Sequence, residues 1–267
     1  MTESSVVLTE RDGHVLVVTL NRPEARNAVN GDLTLGLGTA LEEAEADIDI
    51  RVVVLTGAGD QSFCAGADLK AISRGESLNP PGTEAWGFAG MVQHPISKPV
   101  IAAVNGNALG GGTELVLASD LAVASSSASF GLPEVKRGLI AAAGGVLRLP
   151  EQVPPKVAMQ LILTGDPIDA AAALRWGLVN EVVAPQEVLP AALALAAKIA
   201  ANAPLSVQFS KRVAAGIIGE PGAYAMPSEE AAWEASNAAM MAVFTSADAM
   251  EGPIAFAEKR EPRWTGR

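Results

Sequence analysis

The sequence has little of what most active sites are built from. Its 267 residues include one cysteine, Cys64, which excludes an internal disulfide and a cysteine-ligated zinc site. There are two histidines, His14 in a turn and His94 ahead of a proline. Each reads as a surface or structural residue, and nothing local pairs either one with Cys64 as a nucleophile. Aromatic residues make up only 4%, so the apolar material is mostly small: alanine, valine, leucine and glycine. Basic residues are outnumbered 19 to 30 by acidic ones, a net charge of −11 that argues against long-range attraction to nucleic acid or anionic lipid. Long hydrophobic runs are absent too. Lys98, Glu114 and Asp120 interrupt the glycine-rich centre, and no stretch reaches the roughly 18 apolar residues of a membrane helix. HExxH, GxSxG, EF-hand and Walker A patterns are missing. The start, MTESSVVLTERDG, has no basic segment followed by an apolar one. The expectation is a cytoplasmic, acidic globular protein with no resident metal or cofactor and no nucleic-acid or membrane partner.

What is present is 49% hydrophobic and 18% charged, a balance that buries a large core. Val6–Leu8 and Val15–Leu20 predict a hairpin around Arg11–His14, followed by a polar loop over 21–30. Leu33, Leu37, Leu41 and Ala44 recur at helical spacing and predict a helix over 31–47. RVVVLTG (51–57), PVIAAV (99–104) and DLAVAS (120–125) are continuous apolar runs of the kind buried on both faces of a parallel sheet. Helices are expected between them at 68–73, about 84–93 and 112–118, which makes the architecture α/β. Residues 74–83, with two prolines and two glycines, read as a mobile insertion. Beyond about residue 150 the pattern is helical except for NEVVA (180–184). The chain therefore divides into an α/β core over 1–200 and a helical region over 201–267.

Gly57-x-Gly59 follows a buried strand, where a dinucleotide fingerprint would begin, but Ser62 stands where the third glycine belongs. A tight turn is the simpler reading. More informative is KPVIAAVNGNALGGGTELVLASD. A buried strand ends at Asn105-Gly106, then Gly110, Gly111 and Gly112 precede a helix. Glycines at a helix start leave unpaired N–H groups facing outward and allow a phosphate, a carboxylate or a developing oxyanion to approach. Close helix–strand packing demands glycine equally. Glu114 lies one turn into this apolar helix, the one ionisable side chain between Lys98 and Asp120. It is either a carboxyl with a pKa raised by burial or a first-turn residue favoured by the helix dipole. Glu134 follows 20 residues later, after a short strand and the helix-starting Pro133. Two such carboxyls on adjacent units can meet across one pocket as acid and base.

Taken together, NRPEARNAVN, SFCAGADLK, VNGNALGGGTELVLASD, FGLPEVKRGL and EGPIAFAEKR, in this order, resemble the crotonase (enoyl-CoA hydratase/isomerase) family over essentially the full length. The resemblance implies a spiral of repeated ββα units and C-terminal helices that mediate trimerisation, with homotrimers often pairing into homohexamers. It also implies acyl-CoA substrates, coenzyme A being part of the substrate rather than a cofactor. By the family's pattern, backbone N–H groups of Cys64 and Gly111 form an oxyanion hole. Glu114 activates water for attack on Cβ while Glu134 protonates Cα, so a trans-2-enoyl-CoA becomes a 3-hydroxyacyl-CoA by syn addition. Intact glutamates favour hydration over an isomerase and weigh against a non-catalytic acyl-CoA-binding protein; dehydration of a specialised acyl-CoA stays open as the alternative. The CoA- and acyl-binding set implied is Arg22, Ala25, Arg26, Ala65, Gly66, Ala67, Asp68, Leu69, Lys70, Gly110, Pro133, Ala142 and Lys259, the last reaching in from a neighbouring subunit. Arg260 and Arg263 read as solvated surface charges, and Asp68 as an N-cap. One departure stands out. Where the family often reads IPGAGG, this chain has Ile140-Ala141-Ala142-Ala143-Gly144-Gly145, which adds methyl groups beside the reacting centre.

Overall fold

The computed structural model describes residues 5–266. Strands β1 (Val7–Asp12) and β2 (Val15–Leu20) form the predicted hairpin, closed by a tight turn in which Gly13 takes φ +57°. Helix α1 (Gly31–Ala46) is capped by Asn30, whose side chain accepts the Leu33 N–H at 3.1 Å. Its apolar stripe of Leu33, Leu37, Leu41 and Ala44 is wholly buried.

Three similar units follow. Each has a strand in a large sheet, a very short strand in a second sheet, and a helical segment. The first is β3 (Val52–Gly57), β4 (Ser62–Cys64) and α2 (Leu69–Ser73). The second is β5 (Val100–Val104), β6 (Asn107–Leu109) and α3 (Gly111–Ala118). The third is β7 (Leu121–Ser125), β8 (Ser129–Gly131) and a 3-10 turn, Pro133–Arg137. These are the expected ββα repeats.

Helices α4 (Gly145–Gln152) and α5 (Pro155–Thr164) lead to β9 (Ile168–Asp169), α6 (Ala170–Trp176), β10 (Glu181–Val183) and α7 (Val188–Ala200). The large sheet runs β1-β2-β3-β5-β7-β10 and is parallel except at the hairpin; the small one runs β4-β6-β8-β9. One face of the large sheet packs on α1 and the units. The other packs Val52, Val54, Ile101 and Val123 against Val188, Ala192 and Ala196 of α7. Burial on both faces explains why these strands read as unbroken apolar runs. Helices α8 (Pro204–Ala214), α9 (Glu230–Phe244) and α10 (Ala247–Ala257) complete the chain.

Two expectations need correction. The helix predicted over 84–93 is two short 3-10 turns, Glu84–Trp86 and Phe88–Gly90, because Gly87 and the buried Ala89 both take positive φ (69° and 57°). Beyond residue 150 the stretch 180–184 is not the one strand: Ile168 and Asp169 pair with β8 as β9, and Asp169 then caps α6, the helix expected there, through the Ala172 N–H. The 74–83 segment contains neither helix nor strand. It ends on the buried Thr83, whose hydroxyl donates to Pro80 O at 2.8 Å.

Candidate active site

The ends of β4 and β6 bring two glycine-containing turns together. Gly66 takes φ +88°, and a Cβ there would stand 3.0 Å from both Gly111 N and Leu109 O. Glycine is required on both counts. Val29 N–H donates to Gly66 O and Asp68 N–H to Val29 O, so Ala67 is bridged in parallel to Val29. In that pattern the Ala67 N–H turns away from Val29, and it has no acceptor. At the start of α3 the Gly111 N–H is likewise unpaired, while Gly110 N–H donates to Gly131 O and Glu114 N–H to Gly110 O. Two free N–H groups thus occur on the adjoining turns.

This geometry corrects the donor assigned to Cys64. Cys64 lies inside β4 in register with Ala108, fully buried, with its carbonyl pressed against Gly112. Its peptide belongs to the sheet ladder, and Ala67 has the free N–H. Burial, with a smaller push from the Glu114 charge, lifts the Cys64 thiol to about 12 despite the Gly66 N–H, so the sulfur is a neutral packing group.

Both glutamates face the same junction. Thr113 ties α3 to β8: its hydroxyl lies 2.7 Å from Ala108 O and accepts the Gly131 N–H at 3.0 Å. That link sets the chain leaving β8 so that Pro133 opens the 3-10 turn and Glu134 folds back over α3. Glu134 Oε1 lies 2.7 Å from the point a Gly110 Cβ would occupy. The other oxygen, Oε2, is buried without a partner. Glu114 is buried on the first turn of α3, and its Oε1 accepts the Gly145 N–H at 2.9 Å. Burial and the facing Glu134 charge push the Glu114 carboxyl far above the usual carboxylate range, against the pull of the Ala143 and Gly145 N–H groups and of Arg148. Burial raises Glu134 as well. Two carboxyls so placed favour holding one proton between them.

Of the implied CoA-binding residues, Arg22 is already engaged. It donates to Asp68 Oδ2 at 2.9 Å and to Ala28 O, so it braces the 22–29 loop from within. Asp68 caps α2 as expected, accepting the Lys70 and Ala71 N–H groups. Ala25, Ala65, Ala67, Leu69 and Lys70 are at least partly accessible along the same rim, as is Arg26 at φ 54°. Pro133 and Ala142 are half-buried beside the glutamates. Lys259 lies apart from this rim, in a surface pocket of about 520 Å³ lined also by Lys136, Arg137, Phe256 and Trp264. Arg260 is engaged by Glu251 and Glu258. Among the described residues no group of three His, Cys, Asp or Glu side chains gathers as a metal site.

Sequence reasoning missed Asn27 and Arg148. Asn27, wholly buried at φ 56°, donates to Ala58 O and Ser62 O and accepts the Arg22 N–H, which knits the early loop to β4; its one signal is an asparagine in a loop, where left-handed backbone is tolerated. Arg148 gives no local signal, because its partner, Glu229, is 81 residues away.

Comparison with known proteins agrees with the geometry. The family model described as enoyl-CoA hydratase/isomerase matches residues 10–267. A carnitinyl-CoA dehydratase of Proteus mirabilis is 42% identical, covering 98% of this chain and 99% of its own. The crystal structure of a carnitinyl-CoA hydratase from Mycobacterium avium is 59% identical with a TM-score of 0.95, covering 99% of this chain and 100% of its own. An enoyl-CoA hydratase structure from Mycobacterium tuberculosis is 46% identical over the same shares, with a TM-score of 0.75. The spiral of ββα units, the paired glutamates and these likenesses agree: the chain belongs to the enoyl-CoA hydratase/isomerase family, with its crotonase fold and its acyl-CoA hydratase/dehydratase chemistry.

Proposed function

We propose that this enzyme is a specialised acyl-CoA dehydratase that interconverts a 3-hydroxyacyl-CoA and its trans-2-enoyl-CoA, with carnitinyl-CoA as its preferred 3-hydroxy substrate. The observation that carries the chemistry is the buried Glu114 facing the half-buried Glu134, both carboxyls raised above the usual range, beside two unpaired N–H groups. Relatives named for carnitinyl-CoA support the specialised substrate over simple straight-chain enoyl-CoA.

In the dehydration direction the thioester oxygen accepts the Ala67 and Gly111 N–H groups. An ionised Glu134 removes the proton from Cα, and the electron pair moves into the thioester as an enolate-like oxyanion. Such donors act on charge as it develops, and one is typically worth about 2.7–4 kcal/mol of transition-state stabilisation. The pair then returns to form the Cα–Cβ double bond as the Cβ–oxygen bond breaks. Protonated Glu114 gives its proton to the departing hydroxyl, which leaves as water. Hydration is the reverse, and exchange with solvent resets the single proton between turnovers. The partly accessible stretch Ala65–Leu69 would hold the CoA nucleotide. Assembly into a homotrimer, or a pair of trimers, is part of the same reading, supported by apolar side chains exposed on α8–α10.

The test is the rate of double-bond formation with carnitinyl-CoA against 3-hydroxybutyryl-CoA. A higher kcat/KM for carnitinyl-CoA is expected. Equal or better turnover of the straight-chain ester would make the enzyme a general enoyl-CoA hydratase. Tight binding of both without turnover would make it an acyl-CoA-binding protein.

A further inference from the structure

Behind Glu114 lies a second charged pair that the chemistry above does not use. Arg148, on α4, is 6% exposed and grips Glu229 with both prongs, Nε to Oε1 at 3.0 Å and Nη2 to Oε2 at 2.7 Å. Trp233 donates its indole N–H to the same Glu229 Oε2 at 2.9 Å, and the guanidinium lies 5.4 Å from the Trp233 ring centre. Four contacts join this cluster to the turn that serves Glu114. The Arg148 side chain and the Trp233 ring flank Gly144, 3.6 Å and 3.5 Å from where its Cβ would be. The Arg148 N–H donates to Gly144 O at 2.8 Å, and the Ser236 hydroxyl donates to Ala142 O at 3.2 Å. Glu229, Trp233 and Ser236 are spaced at i, i+4 and i+7, so one helical face carries all three.

Docking α9 does not by itself require ions here. A buried ion pair is weak evidence of stabilisation, because apolar side chains of similar size do as well or better. This one also leaves Arg148 Nη1 buried without a partner. The placement is explained if the charge acts on its neighbour. The ionisable groups facing Glu114 are Glu134 from the 3-10 turn, Cys64 from β4 as a neutral thiol, and Arg148 from α4; β6 contributes none. Around Arg148 the cleft adds Glu151, Glu230 and Glu234.

We propose that Arg148 is a positioning residue for the catalytic pair: clamped by Glu229, it holds the Gly144–Gly145 turn against Glu114 and supplies the cationic counter-charge that keeps this carboxyl able to ionise. Helix α9 thereby becomes a structural arm of the active site. The inference rests on the acid–base roles proposed for Glu114 and Glu134.

Arg148→Gln, Arg148→Lys and Glu229→Gln test it. In Arg148→Gln, loss of the positive charge disfavours the ionised pair. The acid limb of the kcat–pH profile moves up by about one unit. The value of kcat falls by about tenfold or more while KM stays close to wild type. Glu229→Gln removes a negative charge instead, so its limb moves down. Arg148→Lys keeps the limb near wild type and restores part of kcat. If the variants lose activity in step with thermal stability while the limb stays in place, Arg148 is a scaffold residue only. Infrared titration of the protonated carboxyl in the unliganded enzyme, assigned with Glu114→Gln, gives the same directions without turnover. A shift there in an enzyme that does not dehydrate the thioester would sink the substrate reading and leave this one standing. Should Arg148→Gln fail to fold, the downward shift in Glu229→Gln against the unmoved Arg148→Lys decides the matter.

Discussion

Helix α3 is apolar almost throughout and α8 carries an apolar stripe beside polar residues, and the protein treats the two in opposite ways. Of the eight residues of α3, seven are buried, including Thr113 and Glu114; of the eleven of α8, none is. The difference begins with glycine. Gly112 lets α3 touch Cys64 of β4 and Gly111 lets it lie against the Phe88 ring and Gly66, with no Cβ to hold them apart, so the helix enters the centre of the molecule and takes its carboxylate along. Helix α8 instead displays Leu205, Phe209 and Val213, at 68%, 55% and 82% exposure, as an apolar stripe at four-residue spacing. Chemistry therefore sits where burial is complete. The apolar stripe of the C-terminal region is uncovered in the single chain, an exposed patch of the kind that the proposed assembly would use.

The comparison is broken most severely at the buried end. Glu114→Gln and Glu134→Gln are expected each to cut turnover by roughly 10²–10⁴-fold in the CoA-ester assay, the usual range for losing a general acid or base. Glu114→Gln is also expected to raise the melting temperature above neutral pH. The sign follows from linkage. The folded protein binds the Glu114 proton more tightly than the unfolded chain, so stability falls as pH rises from the ordinary carboxylate range through the raised folded value. A glutamine has no such penalty. Calorimetry of both proteins across that interval checks it, and equal pH slopes would show that Glu114 is not strained by its site. At the exposed end, Phe209→Glu combined with Val213→Glu is expected to leave the far-ultraviolet circular dichroism of the core intact while lowering the mass in sedimentation to that of one chain. An unchanged mass would place the interface elsewhere.

How legible each region was follows the same physics. Strands β3, β5 and β7 could be read because burial on both faces writes an unbroken apolar run, and α1 because one-sided burial writes a 3.6-residue period. Glu114 could be singled out because an ionisable side chain in an apolar stretch needs a reason to be there, and Glu134 because it follows a short strand and the helix-starting Pro133. The second sheet could not be read: β4, β6 and β8 have three residues each and β9 two, too few to carry any period. The free N–H of Ala67 could not be read either, since the bridge from Ala67 to Val29 spans chain segments that no local pattern connects. Arg148 and Glu229, and the link they make from α9 to the Gly144 turn, are tertiary facts throughout.

The rim between these extremes gives the smallest and cleanest test. Asp68 is desolvated, which by itself would raise its carboxyl. The Ala71 N–H, the Arg22 hydrogen bond and charge, and the Lys70 N–H outweigh that and hold it below the usual range. A depressed carboxyl contributes stability that is complete above the ordinary aspartate range and is lost as pH falls through the folded value. Asp68→Asn keeps an acceptor for the α2 cap but discards the charge that Arg22 meets, while Asp68→Ala loses both. The expected loss for the alanine is about 1–2 kcal/mol at neutral pH, the sum of a helix cap and a partly buried ion pair, with a smaller loss for asparagine. Asp68→Asn should converge on wild type in acid, where Asp68 is protonated in both the folded and the unfolded wild type, while Asp68→Ala should keep the smaller deficit of its lost cap. Denaturant titrations at neutral and acid pH measure this directly. If the gap between wild type and Asp68→Asn persists in acid, the Arg22 contact holds the 22–29 loop by packing, and charge plays no part in shaping the rim on which the CoA ester is expected to lie.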